Sequence, residues 1–355
     1  MNRTVLAKAL ALSFSLFLIC GAELALRRLP LPAPRDSADK NLQDIVSILR
    51  RDNDLFWIQH SHLRRTFFGA SIATDEFGLR NPEGHIIRRK SADEFRILIL
   101  GASPSFGWGV PEDFTYPRRL EKLLRAKSSR PVKVINASVI GYSSWQGLAL
   151  LKKHMAVFHP DHIIASYAIN DISRERFFYS GAQPDKDLRV RGSGFLNILN
   201  DLALARAAAA LAARLHPPKV PAADWPIRVS LRDFADNHEA LVALARQYHA
   251  DISFLIIPFQ FPPSPRLDAR AREMTAVMER EPAYFDMLRK VAQGKSVEVI
   301  DTTAPLLARY SDYYLVGQGD YIHPNARGHG VIAERIARRM LPRLTAHPGP
   351  GVQRP

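Results

Sequence analysis

Three distant segments carry side chains that together can attack a carbonyl carbon. Gly101-Ala102-Ser103 follows the apolar run Ile97-Leu98-Ile99-Leu100, and Ala168-Ile169-Asn170-Asp171 follows Ile163-Ile164-Ala165-Ser166-Tyr167. The third, Asp320-Tyr321-Ile322-His323-Pro324-Asn325, lies near the C-terminus. A serine hydroxyl is a weak nucleophile at neutral pH; it needs a base within hydrogen-bond reach, and the base needs an orienting carboxylate. Asp320 and His323 are three apart, which on a turn or short helix puts both side chains on one face. The carboxylate can then hold one imidazole nitrogen while the other faces Ser103. The oxyanion that develops needs donors set in advance. The Asn170 side-chain amide, the Ser103 backbone N–H and the Gly141 backbone N–H are the candidates, and glycine at 141 permits an unusual backbone angle and close approach of substrate.

Each piece alone has an ordinary reading. Serine opens helices well, so Ser103 could be an N-cap. Asn170-Asp171 and Asp320–His323 could be turns, and Gly141 a turn glycine. Their order along the chain, and the strand-like runs before the first two, favour the chemical reading.

The elements that must position these groups are short and bounded. Apolar runs at Arg96–Leu100, Val132–Asn136, His162–Tyr167, Ile252–Ile257 and Val297–Ile300 alternate with helical patterns at Tyr116–Ala126, Ser144–Phe158, Arg232–His249 and Ala271–Ala292. Pro282 is expected to break or kink the last. Strands alternating with helices predict an α/β domain with a parallel sheet covered on both faces. Ligands in such sheets bind outside the carboxyl ends of the strands, where Ser103 and Asn170 fall.

These blocks resemble those of the SGNH (GDSL-type) hydrolase superfamily, in a membrane-anchored bacterial form. Gly101-Ala-Ser103-Pro-Ser105-Phe-Gly107 is similar to its first block, Gly-Asp-Ser-x-Ser/Thr-x-Gly, except at Ala102. Gly141 matches its second block. Ala168-Ile-Asn170-Asp171 matches Gly-x-Asn-Asp except at Ala168, and Asp320 to Pro324 matches Asp-x-x-His-Pro. The resemblance covers roughly Phe95 to Leu341. It implies a flavodoxin-like three-layer α/β/α sandwich without a cofactor. It also implies Ser103 as nucleophile, His323 as general base, Asp320 as its orienter, and Ser103, Gly141 and Asn170 as the oxyanion hole. Neither alanine removes a reacting group, although a methyl at 168 could narrow the backbone path beside that hole.

Composition bounds the alternatives. The chain has 355 residues, 46% hydrophobic, with a formal net charge of +14, enough for a full core. Arg327, Arg335, Arg338, Arg339, Arg343 and Arg354 face only Glu334 near the C-terminus. That excess suits lipid headgroups or acidic glycans, or is a solvated helix face. No aromatic platform or motif accompanies it, which argues against nucleic acid. The one cysteine, Cys20, excludes an intrachain disulfide and multi-cysteine zinc sites, and Ile19 before it disfavours lipid attachment. His154, His159 and His162 lack a carboxylate pair to close a metal shell, so no metal is expected. Gly107-Trp108-Gly109 lacks the lysine of a nucleotide loop and reads as backbone turning below the nucleophile.

Arg3 and Lys8 precede an apolar run from Ala9 to Cys20 that extends to Leu26. The flank and run read as an export signal, and the full stretch is long enough to span a bilayer. No small-x-small cleavage site is evident. The expectation is an uncleaved anchor with the catalytic domain outside the cytoplasmic membrane (periplasmic), or a secreted protein if cleavage occurs. The organisation expected is an anchor and proline-rich spacer over 1–34, a cap region over 35–94 with a helix over Leu42–Leu55, a hydrolase domain over 95–345, and a disordered tail over 346–355. An insertion over about 179–228 interrupts the domain as a lid or membrane-side element.

The function expected is a serine esterase that removes O-acyl groups, acetyl or another short acyl, from a glycan or lipid. Two alternatives use the same fold. An O-acyltransferase would pass the acyl group to a cell-surface polysaccharide, and a catalytically silent protein would use the fold for binding.

Overall fold

The computed structural model describes residues 3–28, 40–84, 90–174, 176–178, 183–188, 225–261 and 269–345. The chain divides into two compact units, one of Met1–Ser47 with Arg189–Pro221, the other of Ile48–Leu188 with Ala222–Pro355. The first contains helix α1 (Arg3–Arg28) and most of α2 (Lys40–Ile48). Among the described residues no helix is long and apolar enough to cross a membrane. The spanning segment expected over 9–26 is therefore not found, and the side chains of residues 3–12 lie outside the described residues.

The second unit is built on a five-stranded parallel sheet. Its strands are β5 (Phe95–Gly101), β6 (Val132–Asn136), β7 (His162–Ser166), β8 (Asp251–Ile256) and β9 (Glu298–Asp301), in the spatial order β6-β5-β7-β8-β9. Counted within the sheet this is 2-1-3-4-5, the flavodoxin-like order. Every residue of β5 is buried, which is why its apolar run is continuous rather than alternating. Parallel neighbours need crossovers. These include α4 (Tyr116–Arg125), α5 (Ser144–Phe158), α7 (Leu231–Gln247) and α8 (Ala269–Lys295), while α11 (Ala326–Thr345) closes the chain. Ile97, Ile99, Ile164, Leu255 and Ile300 form one core layer with Leu120 and Leu124 of α4 and Ile332, Ile336 and Met340 of α11. α5 packs on β5, and α7 on α5, α8 and β8, giving a second helical layer.

Several expectations change. The helix expected over Leu42–Leu55 stops at Ile48, and Leu49–Asp52 (β1) pairs antiparallel with Phe56–Gln59 (β2). The Asp52 carboxylate accepts from the N–H groups of Asp54 and Leu55 and so closes the turn. A second hairpin joins Arg64–Phe67 (β3) to Ala70–Ala73 (β4). Pro282 sits inside α8 without ending it. Of the insertion, 179–182 and 189–224 lie outside the described residues, as does the tail over 346–355.

Candidate active site

The nucleophile candidate stands where β5 ends. Ser103 opens the four-residue helix α3 (Ser103–Phe106); Ala102 is its N-cap residue and no side chain caps it. The Ser103 hydroxyl is thus not used as a cap, and among the described residues no acceptor takes its N–H. The turn after α3 needs a left-handed backbone at Gly107 (φ 90°), where a Cβ would lie 2.6 Å from the Thr115 side chain. Arg80, fully buried between the hairpins and the sheet, donates to the carbonyls of Phe106, Gly107 and Val110 and pairs with Glu112 at 2.7 Å. The Asn136 amide at the end of β6 donates to the carbonyls of Ser105 and Phe106.

His323 reaches Ser103 across 220 residues of sequence. Its Nε2 is 2.8 Å from Ser103 Oγ, and its Nδ1 is 2.6 Å from Asp320 Oδ2. An ionised carboxylate only accepts, so Nδ1 carries the proton and Nε2 is free to accept from the hydroxyl. Asp320 Oδ1 also accepts from the N–H groups of Ile322 and His323. Burial alone would raise the Asp320 carboxyl, but the hydrogen bond and charge of His323 and these two N–H groups hold it below its ordinary value. Behind the loop, Asn325 donates to the carbonyls of Asp312 and Tyr314 and accepts from the N–H groups of Arg327 and Gly328. It therefore anchors the loop and starts α11 at once. The Trp108 indole lies parallel to the His323 ring, centroids 4.6 Å apart, and Phe67 and Phe68 pack against the indole.

The expected oxyanion donors stand on neighbouring strand ends. Gly141 has φ 78°, and a Cβ there would come within 2.4 Å of the Phe177 ring, so the position requires glycine. Its N–H has no acceptor among the described residues. Asn170 lies in the helical turn α6 (Ile169–Ile172); its Nδ2 donates to Tyr142 O at 3.0 Å, which fixes the amide and leaves a second hydrogen to give. The loop that carries Gly141 is tied to β5 by the bond from Val139 N–H to Gly101 O.

A buried polar cluster lies behind that loop. Trp57 Nε1 donates to Ile140 O at 2.8 Å, and Arg228 Nη1 donates to Gly141 O at 2.7 Å. Asp185 pairs with Arg176 at 2.7 Å and with Arg228 at 3.0 Å, and accepts from the Ser143 hydroxyl that caps α5. Burial opposes ionisation of Asp185, yet Arg228 and Arg176 hold its carboxyl below the ordinary value. Asp171 accepts from Ser144 N–H and Oγ through one oxygen. Burial outweighs those bonds and Arg228, and its carboxyl is pushed up to about 7.

Ala102 and Ala168 line one apolar recess with Ile257, Phe259, Phe285 and Ile322, next in sequence to Ser103 and His323. The φ of Ala168 is 172°, outside the left-handed region that favours glycine. Of the three histidines weighed as metal ligands, His162 is buried with Nε2 2.9 Å from Ser253 Oγ, and His154 packs edgewise on Phe77. Among the described residues no group of three or more His, Cys, Asp or Glu could hold a metal ion.

No local pattern in the sequence marks Trp57, Arg80, Asp185 or Arg228 as functional. Trp108 reads there only as part of a turn. A lone tryptophan between two glycines, two residues past the nucleophile helix, was the available signal for Trp108. The others have none: Trp57, Arg80 and Arg228 meet their carbonyl partners 26 or more positions away, and Asp185 meets Arg228 across 43.

Residues 99–331, more than half of the chain, match the model of the GDSL-like Lipase/Acylhydrolase family. No curated protein matches the sequence. Among solved structures, a psychrotrophic esterase from Pseudoalteromonas sp. is similar at 15% identity over 70% of this chain and 98% of its own (TM-score 0.43). A lipase/acylhydrolase from Enterococcus faecalis is similar at 15% identity over 70% and 96% (TM-score 0.44). An acetylxylan esterase from Geobacillus stearothermophilus is similar at 16% identity over 71% and 95% (TM-score 0.43).

Proposed function

We propose that this chain, which belongs to the GDSL-like lipase/acylhydrolase family and is an ester-hydrolysing enzyme, removes short O-acyl groups from a glycan or lipid by serine catalysis. The observation that carries the catalytic part is the continuous relay from Asp320 through His323 to Ser103, with both hydrogen bonds short. In the first half-reaction Ser103 Oγ attacks the ester carbon while its proton passes to His323 Nε2. The carbonyl oxygen becomes an oxyanion received by the N–H groups of Ser103, Gly141 and Asn170. Collapse breaks the bond to the alcohol, which leaves with the proton from His323, and Ser103 holds the acyl group. In the second half-reaction water gives a proton to His323 and attacks the acyl carbon; the acid departs and Ser103 recovers its proton.

The recess beside Ala102 and Ala168, lined also by Ile257, Phe259 and Phe285, supports an apolar acyl group. The excess of positive charge supports an acceptor in anionic surroundings, such as an acidic glycan or a lipid surface. Attachment to the cell membrane through the N-terminus, with the catalytic unit outside the cytoplasm, is part of the same proposal. Its support is the apolar run in the sequence and the exposed Phe14, Phe17, Leu18 and Ile19 on α1.

The test is hydrolysis of p-nitrophenyl esters of increasing acyl length by wild type and Ser103→Ala, followed by acetylated glycans and lysolipids. Loss of turnover in the variant is expected, with activity greatest on the shortest esters. Wild-type rates in Ser103→Ala would refute the assignment.

A further inference from the structure

The peptide that offers the Gly141 N–H is gripped at both ends by residues from outside the strands and helices that carry the reacting groups. The carbonyl of Ile140 and the N–H of Gly141 are the two poles of one peptide unit. Trp57, on β2 of the N-terminal hairpin, donates its indole N–H to that carbonyl at 2.8 Å, and the contact is buried. The next carbonyl, that of Gly141, accepts from Arg228 at 2.7 Å. The two gripping side chains also meet each other: the Arg228 guanidinium lies over the Trp57 ring, 5.4 Å from its centroid. Trp57 is held in turn by the Tyr142 hydroxyl on its own carbonyl at 2.7 Å and by the edge of Phe177. Arg228 is held by Asp185.

We infer that Trp57 and Arg228 are positioning residues for the oxyanion hole, which polarise and aim the Gly141 N–H. A hydrogen bond accepted at a peptide carbonyl makes the N–H of the same peptide a stronger donor, because chained hydrogen bonds polarise one another. Two buried donors on successive carbonyls also remove the freedom of the Gly141 peptide to rotate. Preorganisation of this kind lowers the barrier only where the oxyanion forms. Its effect therefore falls on kcat and spares KM, which reports ground-state binding when chemistry is slow. The guanidinium adds a positive charge one peptide away from the developing negative charge, in a setting poor in water. The inference rests on the serine-esterase reading above, in which Gly141 receives the oxyanion.

The experiment compares wild type with Trp57→Phe, which removes the indole N–H and keeps a ring, and with Arg228→Lys, which keeps the charge and loses the planar fork. Active sites are counted by the end point of fluorophosphonate labelling, and p-nitrophenyl acetate turnover is expressed per labelled site. Phenylboronic acid, whose tetrahedral adduct on Ser103 places an oxygen in the same hole, gives a second reading. The expectation is a kcat about 10-fold lower in Trp57→Phe with KM within about twofold, a smaller loss in Arg228→Lys, and boronic-acid affinity falling by the same factor as kcat. A purely structural role would lower the number of labelled sites and leave turnover per site unchanged; that result would overturn the inference. Should Trp57→Phe fail to fold, Arg228→Lys decides by the same two readings. A wild type that neither labels nor turns over any ester overturns the esterase reading and this inference with it.

Discussion

The Trp108 indole and the His323 imidazole are stacked, with ring planes 7° apart and centroids at 4.6 Å. Proton transfer from Ser103 would put positive charge on that imidazole, facing the electron-rich side of the indole. Attraction of a cation to an aromatic face contributes on the order of 1–2 kcal/mol where water is scarce. Trp108→Leu should therefore lower kcat about 10-fold and Trp108→Phe much less, with KM similar in both. Steady-state kinetics on p-nitrophenyl acetate decide it; equal losses in the two variants would show that the stacked ring contributes only bulk.

Asp320 has two tasks, one on each oxygen. Oδ2 accepts the hydrogen bond of the imidazole Nδ1–H, while Oδ1 accepts from the N–H groups of Ile322 and His323 and so holds the loop. Asp320→Asn keeps an acceptor for one task but presents an amide N–H or a neutral oxygen to His323. Turnover should fall by about 10³–10⁴ with thermal stability reduced far less. A loss below about 10-fold would argue that His323 is oriented by something other than this carboxylate.

Asp185 pairs with both Arg176 and Arg228 in the cluster behind Gly141, and all three side chains are almost completely buried. Asp185→Asn removes the negative charge that these two buried guanidiniums face. The expected cost is about 3–5 kcal/mol, read as a lower denaturation midpoint in urea. The sign with pH follows from the direction of the shift. The folded-state value is depressed below 3.8, so this stabilisation is present above that value and is lost as pH falls through the folded one. Asp185→Asn should accordingly show a shallower stability loss in that acidic window than wild type.

Asp171 works the other way. Its folded-state value is raised from 3.8 to about 7, and one of its oxygens has no hydrogen-bond partner among the described residues. The protonated form favours the fold, so the stabilisation is fully present below 3.8 and is lost as pH rises through about 7. Asp171→Asn supplies a permanently neutral group of the same shape. Its Tm relative to wild type should rise between about pH 5 and pH 8, by a few degrees for each kcal/mol recovered. Differential scanning calorimetry across that range tests it; a constant difference would mean the carboxyl does not titrate there in the fold.

The parallel sheet was legible because burial on both faces writes itself as short apolar runs. The run predicted at Val132–Asn136 matches β6 residue for residue, and the other four are off by a single residue, at one end for β7 and at both ends for β5, β8 and β9. The hairpins of the N-terminal region were missed because Leu49–Asp52 and Arg64–Phe67 carry two arginines each and show no clean alternation. Leu49 then fell in with the helical spacing of the residues before it. Pro282 was expected to break or kink α8 from backbone sterics, and the helix runs through it without a break. Surrounding packing through Tyr284, Phe285 and Leu288, all buried, can hold a helix across it.

The sequence by itself determined the sheet and pointed to the groups proposed to react, because both are written in local patterns: a serine and an amide just past strand ends, and a carboxylate three residues before an imidazole. Only the tertiary structure decided what supports them. Arg80 on the turn after Ser103, Trp108 on the imidazole, and Trp57 with Arg228 on the Gly141 peptide all join residues 26 or more positions apart. Such contacts obey no spacing rule. They arise where the fold brings a donor to a carbonyl that would otherwise be buried without a partner, and which residue meets that need is settled by packing.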